Sequence, residues 1–142
     1  MRKYLIIFTS LLFLLNINIS EAQCYKLLTT KGFEKLDTSS FIFDGSINTI
    51  SIKQGETFTV TKSLFKGKKY KIVVVSDDFE KLNFIVINNE NVTLFDNSEK
   101  NSSNTWEYVC DKNQSIEITV EAPKDKNKAE NSCIAVLLGL ST

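Results

Sequence analysis

The chain of 142 residues contains no histidine, and its single arginine is Arg2. Imidazole is the side chain that most often moves protons near neutral pH, and it is the commonest metal ligand in proteins. The guanidinium group is the side chain that clamps carboxylates and phosphates through paired hydrogen bonds. The absence of histidine excludes imidazole catalysis and histidine metal centres, and because Arg2 is the only arginine, lysine is the main cation for contacting an anionic partner.

The sequence also has no excess of positive or negative charge. The chain has 17 basic and 17 acidic residues, and residues 1–22 contain two of the basic residues and one of the acidic ones. The part from residue 23 onward therefore has 15 lysines against 16 carboxylates, a net charge of minus one. No basic field is available to recruit nucleic acid or an anionic membrane, so neither is predicted as a partner.

Long hydrophobic runs are absent apart from the N-terminus, where Arg2 and Lys3 precede an apolar stretch over residues 4–15. Ser20 and Ala22 then occupy the small-residue positions of a cleavage site, which predicts a secretory signal peptide over residues 1–22. This apolar run is too short for a transmembrane helix, and no longer apolar run follows it. The mature chain is therefore expected to have no transmembrane segment. Residues 23–142 are predicted to form a single domain located in the periplasm or outside the cell.

Cysteine is scarce, with Cys24, Cys110 and Cys133 only. In an oxidising compartment a disulfide is the expected fate of cysteine. Cys110 ends one apolar strand and Cys133 begins another, which favours a Cys110–Cys133 disulfide. Sequence does not fix the connectivity, so two alternatives stay open for Cys24: it forms a disulfide with Cys110 or Cys133, or it stays a free thiol.

The sequence over residues 57–76 organises the rest of the chain. Phe58, Val60 and Leu64 alternate with threonine and serine, and a glycine turn leads into a second run that becomes apolar on both faces. Alternation with period two predicts β-strands, and the short turn predicts that the two strands form a hairpin. Further strands are predicted over residues 40–44 and 47–52, on either side of a turn at Asp44-Gly45, and over residues 105–110, 115–121 and 133–140. Residues 82–87 and 92–95 are predicted to form a second hairpin.

Two further stretches carry specific expectations. Residues 133–140 are apolar throughout and predict a buried central strand, whereas residues 24–36 have a weak pattern that suits a short strand or one helical turn. With turn signals every 8–12 residues and no convincing helix, the fold class is predicted as all-β. The expected architecture is an antiparallel β-sandwich, jelly-roll-like, of about eight strands.

The run Phe-Thr-Val, then Leu-Phe-Lys-Gly-Lys-Lys-Tyr-Lys-Ile-Val-Val-Val, is followed by Asn-Phe-Ile-Val-Ile and Leu-Phe-Asp-Asn. This pattern, over residues 55–97, resembles the small secreted jelly-roll domains of Bacteroidetes-type bacteria and the bacterial pre-peptidase C-terminal type of sandwich. Those domains are non-catalytic accessory or binding modules. The resemblance therefore implies a binding module, here with no peptidase beside it.

Carboxylates supply the remaining candidates for chemistry. Asp77, Asp78 and Glu80 lie within one loop, and Asp96 begins a second loop that contains Asn97, Ser98 and Glu99. Calcium binds to clustered loop oxygens, so these residues form a candidate cation site, although solvated turns are the simpler interpretation. A hydrolase that uses Asp77 and Asp78 is a weaker alternative. The loop over residues 96–104 is expected to be the most exposed stretch in the middle of the chain.

Trp106 and Tyr108 share a strand face with Cys110. Exposed aromatic rings are the stacking platforms of carbohydrate-binding sites, but a disulfide-bonded Cys110 would turn this face toward the core, where the rings would pack instead.

The sequence thus predicts an exported, non-catalytic binding or accessory module that contacts another envelope or extracellular protein, with no cofactor. The alternative is a carbohydrate- or calcium-dependent binding module.

Overall fold

A computed structural model describes residues 24–98 and 103–142, and the predicted signal peptide lies outside these residues. Within this part of the chain, nine strands form two antiparallel sheets that pack face to face. The predicted all-β sandwich is therefore confirmed. No helix among the described residues is long and apolar enough to cross a membrane.

The first sheet contains five strands, with β9 at its centre. β4 lies on one side of β9 and is followed by the edge strand β7, while β1 and β2 both pair with the other side of β9. The apolar C-terminal strand is thus buried and central, as the sequence predicts. The strands of this sheet are β1 (Phe41–Phe43), β2 (Asn48–Lys53), β4 (Lys69–Ser76), β7 (Thr105–Val109) and β9 (Asn131–Ser141).

The second sheet contains four strands in the order β3, β8, β5 and β6. The inner side chains of β8 alternate with polar ones that face outward, because only one face of this sheet is covered. The predicted β5–β6 hairpin is present. The strands of this sheet are β3 (Thr57–Leu64), β5 (Asn83–Asn88), β6 (Thr93–Asp96) and β8 (Gln114–Glu121).

One predicted pairing is wrong. β3 and β4 occur where expected but lie in different sheets, since β3 pairs with β8 and β4 pairs with β9 and β7. The loop over residues 65–68 crosses from one sheet to the other and contains Gly67 at a φ of 78°. β1 and β2, on either side of the turn at Asp44-Gly45, both pair with β9 rather than with each other. Each strand was predictable from its own pattern, whereas pairing depends on which faces the interior must cover.

A helical segment, defined here as residues 24–36, covers the outer face of the first sheet. It includes a π-helical turn at Leu28–Gly32 and an α-helical turn, α1, at Phe33–Leu36. A second apolar cluster lies beneath it, separate from the cluster between the two sheets. This cover explains why the far half of β4 is apolar on both faces: Ile72 faces the sandwich interior, and Val73 faces the helical segment.

The disulfide links Cys24 to Cys133, so the predicted Cys110–Cys133 disulfide is wrong. Alternation along β9 directs Cys133 to the outer face of its sheet, into the cluster beneath the helical segment. Cys110 belongs instead to the cluster between the sheets, where it is a buried free thiol. The two cysteines therefore face opposite sides of one sheet, and the bond attaches the helical segment to the central strand.

Candidate functional site

The carboxylate of Asp77 has a structural role at the end of β4. Its Oδ1 atom accepts hydrogen bonds from the backbone N–H of Cys133 at 2.9 Å and from the hydroxyl of Ser132 at 2.8 Å. The Ser76 hydroxyl lies 2.8 Å from that of Ser132 and accepts a hydrogen bond from the backbone N–H of Asp78. These bonds join the loop after β4 to the start of β9, which favours a structural role for Asp77 over a catalytic one.

The described residues do not assemble the candidate cation site. No three or more histidine, cysteine, aspartate or glutamate side chains in this part of the chain form a group that could hold a metal ion. Asp96 accepts hydrogen bonds from the hydroxyl and backbone N–H of Ser98, and these bonds lower the pKa of Asp96. Glu80 is exposed, and Glu99, also in the predicted set, lies outside the described residues.

The expectation that the loop after β6 is the most exposed in the middle of the chain is wrong for both of its described asparagine side chains. Asn97 is fully buried: it accepts a hydrogen bond from the backbone N–H of Phe84 and donates to the carbonyl oxygen of Leu82. Asn104, also buried, accepts from the backbone N–H of Leu82 and donates to the carbonyl oxygen of Glu80. The two amides satisfy backbone groups that no strand pairs.

The aromatic side chains of β7 pack on one another. The Trp106 ring stacks on Tyr108 at 4.8 Å and on Phe95 at 5.2 Å, and it lies against the cluster between the sheets. Tyr108 accepts a hydrogen bond from Gln114 and donates one to Asp111, and partial burial raises the pKa of its hydroxyl. The rings face inward beside a buried Cys110, which favours core packing over carbohydrate stacking.

A cleft of about 530 Å³ opens where the two sheets separate, between β1 and β3. Ile42 and Leu140 form part of its wall on the first sheet, and Thr61 and Phe65 form part of the opposite wall. Ile42 is 60% exposed although its cross-strand partner Leu140 packs against the cluster between the sheets, because β1 is an edge strand and the cleft opens beside it. We refer to this feature as the edge cleft.

A partly buried ion pair lies within the edge cleft. Lys62 Nζ is 2.7 Å from Asp44 Oδ2, and the two side chains are 9% and 21% exposed. Lys62 follows Val60 and precedes Leu64 on the inward face of β3, an edge strand of its sheet. Sequence reasoning missed this residue, although a lysine in phase with the apolar positions of a strand was the signal that could have found it.

The aromatic side chain at the rim is held on a fixed loop. Phe65 is 62% exposed, and its backbone N–H donates to the hydroxyl of Tyr70 at 3.0 Å. The next N–H groups of the loop donate to Asn113 Oδ1 and, from Gly67, to the carbonyl oxygen of Cys110. These hydrogen bonds restrain the backbone of the loop, so less backbone freedom is left to lose when the exposed Phe65 ring contacts a partner.

A second groove, of about 510 Å³, lies beside the end of β4. Its lining mixes lysines from the helical segment with Asp77, Asp78 and Glu80, and Lys31 Nζ donates to the carbonyl oxygens of Ser76 and Asp77. This groove lacks an exposed large apolar side chain among the described residues, so the edge cleft is the better candidate for a binding site.

Comparison with known proteins identifies a similar fold but assigns the chain to no family. No protein-family model matches the chain, and no curated protein matches it. Among solved structures the chain is similar to PliG of Aeromonas hydrophila, a periplasmic lysozyme inhibitor of g-type lysozyme, with a TM-score of 0.51 and 11% sequence identity. The match covers 68% of this chain and 85% of that one. At this identity the similarity shows a shared fold alone.

Proposed function

We propose that the protein is an exported, non-catalytic module that binds another protein of the envelope or the extracellular space through the edge cleft. The observation that carries the proposal is the pair of exposed apolar side chains, Ile42 and Phe65, on opposite walls of the cleft. Exposed apolar residues gathered around a concave site are a common feature of protein-binding surfaces.

Export is supported by two independent features. The N-terminal sequence has the pattern of a secretory signal peptide, and a disulfide such as Cys24–Cys133 forms and persists in oxidising compartments. The non-catalytic part of the proposal is supported by the lack of histidine and by Asp77, whose carboxylate is occupied by backbone and hydroxyl hydrogen bonds.

Affinity capture with a matched pair of variants tests the proposal. Tagged wild-type protein, Phe65→Ser and Tyr25→Ser are each expressed in the cells that naturally produce the protein, and captured proteins are quantified by mass spectrometry. Tyr25 is the control because it is an aromatic residue, 49% exposed, on the helical segment rather than at the cleft. We expect a partner that the wild type and Tyr25→Ser retain and Phe65→Ser loses; equal recovery by all three would refute binding through the cleft.

The structural similarity to PliG suggests one specific partner. PliG is described as an inhibitor of g-type lysozyme, and we propose a lysozyme of this type as the first protein to assay. Hydrolysis of peptidoglycan is measured with the purified protein added in increasing ratio to the enzyme. Inhibition that saturates near equal molar amounts would support this partner, and undiminished hydrolysis at excess protein would exclude it.

A further inference from the structure

We infer that the edge cleft accepts an acidic segment of its partner that presents an apolar side chain. This inference rests on the proposed function and adds the chemistry of the partner. It follows from the charges around the cleft, the apolar walls and the position of Lys62 on the edge strand.

The charges around the cleft are mostly positive. The lining and the loop over residues 65–68 together carry Lys62, Lys66 and Lys68 against the single carboxylate of Asp44. Asp44 is already paired with Lys62, whereas neither Lys66 nor Lys68 has an ion pair with a described residue. Asp111, on the adjoining loop, accepts a hydrogen bond from the Tyr108 hydroxyl and adds a second carboxylate, so three lysines stand against two carboxylates. Because Lys66 and Lys68 are exposed on the loop that carries Phe65, the remaining positive charge favours a partner surface that carries carboxylates.

The lining of the cleft offers apolar contacts to a side chain of the partner. Ile42, Leu140 and Phe65 provide apolar walls, and the Lys62–Asp44 pair provides a polar group inside. Burial of an apolar side chain between these walls removes apolar surface from water on both partners, which is the main favourable term in such contacts.

Addition of a partner strand to β3 is the rival mode of binding. β3 is an edge strand with an inward-pointing lysine, a feature that natural sheets use to prevent pairing with a further strand. The Lys62–Asp44 pair would have to rearrange if a strand approached along this edge. Insertion of a side chain leaves the ion pair in place, so we assign recognition to the walls and the flanking lysines.

Two synthetic hexapeptides provide the probes for a direct test. Both have a central Leu-Phe pair; one is flanked by two carboxylate residues on each side, and the other has lysine at those four positions. Binding to isotope-labelled protein, purified from the exported fraction of producing cells, is followed by changes in backbone amide chemical shifts. The same titrations are made with Phe65→Ser, with Tyr25→Ser as the matched control, and with the double variant Lys66→Glu, Lys68→Glu.

We expect the acidic peptide to shift resonances of residues around the cleft and to bind about tenfold more tightly than the lysine peptide at low salt. The preference should shrink in about 1 M salt, where charges are screened within roughly 3 Å. Phe65→Ser should lose binding, Tyr25→Ser should keep it, and the double variant should prefer the lysine peptide. Equal binding of both peptides, shifts confined to another surface, or an unchanged preference in the double variant would overturn the inference.

The two proposals fail separately. If affinity capture yields a partner that depends on Phe65 while the acidic peptide does not bind, the binding function stands and the partner chemistry assigned here is wrong. If the acidic peptide binds at the cleft while capture shows no dependence on Phe65, the ligand preference of the cleft stands and the proposed function is refuted.

Discussion

At the scale of single residues, buried amides fix loops that the sheets leave unpaired. Asn97 satisfies the backbone N–H of Phe84 at 2.9 Å and the carbonyl oxygen of Leu82, and it also donates to the carbonyl oxygen of Ser103 at 3.2 Å. No solvent reaches its side chain. Its removal would leave several buried backbone groups without partners, which costs more than the loss of an exposed hydrogen bond.

We therefore expect Asn97→Ala to lower the free energy of unfolding by about 2–4 kcal/mol, since each unsatisfied buried group costs about 1–3 kcal/mol. Asn89→Ala is the control, because Asn89 is exposed and such substitutions usually change stability by less than about 0.5 kcal/mol. Urea unfolding of the two variants and the wild type measures the difference. Similar midpoints for both variants would show that Asn97 does not carry this role.

Residue roles were the hardest property to predict from sequence. An asparagine in a polar loop has the same local pattern whether it is exposed or buried, so Asn97 gave no sign of its position. Lys62 did give one, because it falls in phase with Val60 and Leu64. Cys110 lies in the cluster between the sheets, as the prediction that its strand face turns toward the core requires. The reason given for that orientation was wrong, because Cys133 forms its disulfide with Cys24 and not with Cys110.

At the scale of elements, close contact between the helical segment and β9 depends on two glycines. A Cβ atom on Gly139 would lie 2.6 Å from Leu36 Cδ1 and 3.0 Å from Phe41 Cβ. A Cβ atom on Gly32 would lie 2.8 Å from Leu137 Cδ1. Gly139 thus makes room for Leu36 of the helical segment and Phe41 of β1, and Gly32 makes room for Leu137 of β9. The helical segment can therefore approach the sheet closely.

Gly139→Ala should push Leu36 and Phe41 outward and destabilise the protein by about 1–3 kcal/mol, the usual cost of overpacking a filled core. Hydrogen exchange should speed up most in the helical segment, which packs on this strand. Gly67→Ala is the comparison: a Cβ atom there meets nothing within 4 Å, and the cost arises only from a φ of 78°. Unchanged exchange in residues 24–36 of the Gly139→Ala variant would contradict this description of the contact.

Elements were predicted far better than their pairing. Period-two alternation, together with the continuous apolar run over residues 133–140, predicted the positions of the nine described strands within a few residues. Pairing of β3 with β4 was wrong because a short glycine-containing loop can join strands within one sheet or across two sheets. The helical segment was missed as a cover because its apolar residues, including Leu28 and Leu36, fit no single period well.

At the scale of the whole molecule, the Cys24–Cys133 disulfide closes a loop with a sequence separation of 109 residues. It joins the start of the described chain to its central C-terminal strand. Loss of such a bond enlarges the unfolded ensemble, and removal of a native disulfide from a small secreted domain typically costs about 2–5 kcal/mol.

Cys24→Ser is expected to reduce the free energy of unfolding by about that amount, whereas Cys110→Ala, which leaves the disulfide intact, should cost about 1 kcal/mol. Urea unfolding compares the two variants. Alkylation of the denatured but unreduced wild type, followed by mass spectrometry, should modify Cys110 only. Alkylation at Cys24 or Cys133 would contradict the connectivity.

The most direct measurement of the central claim is photo-cross-linking in producing cells. A photoreactive phenylalanine analogue replaces Phe65 in one variant and Tyr25 in another, so that both probes are exposed aromatic residues on the same fold. The proposal predicts a covalent adduct with one protein from position 65 and none with that protein from position 25. Adducts of the same protein from both positions, or from position 25 alone, would contradict binding through the edge cleft.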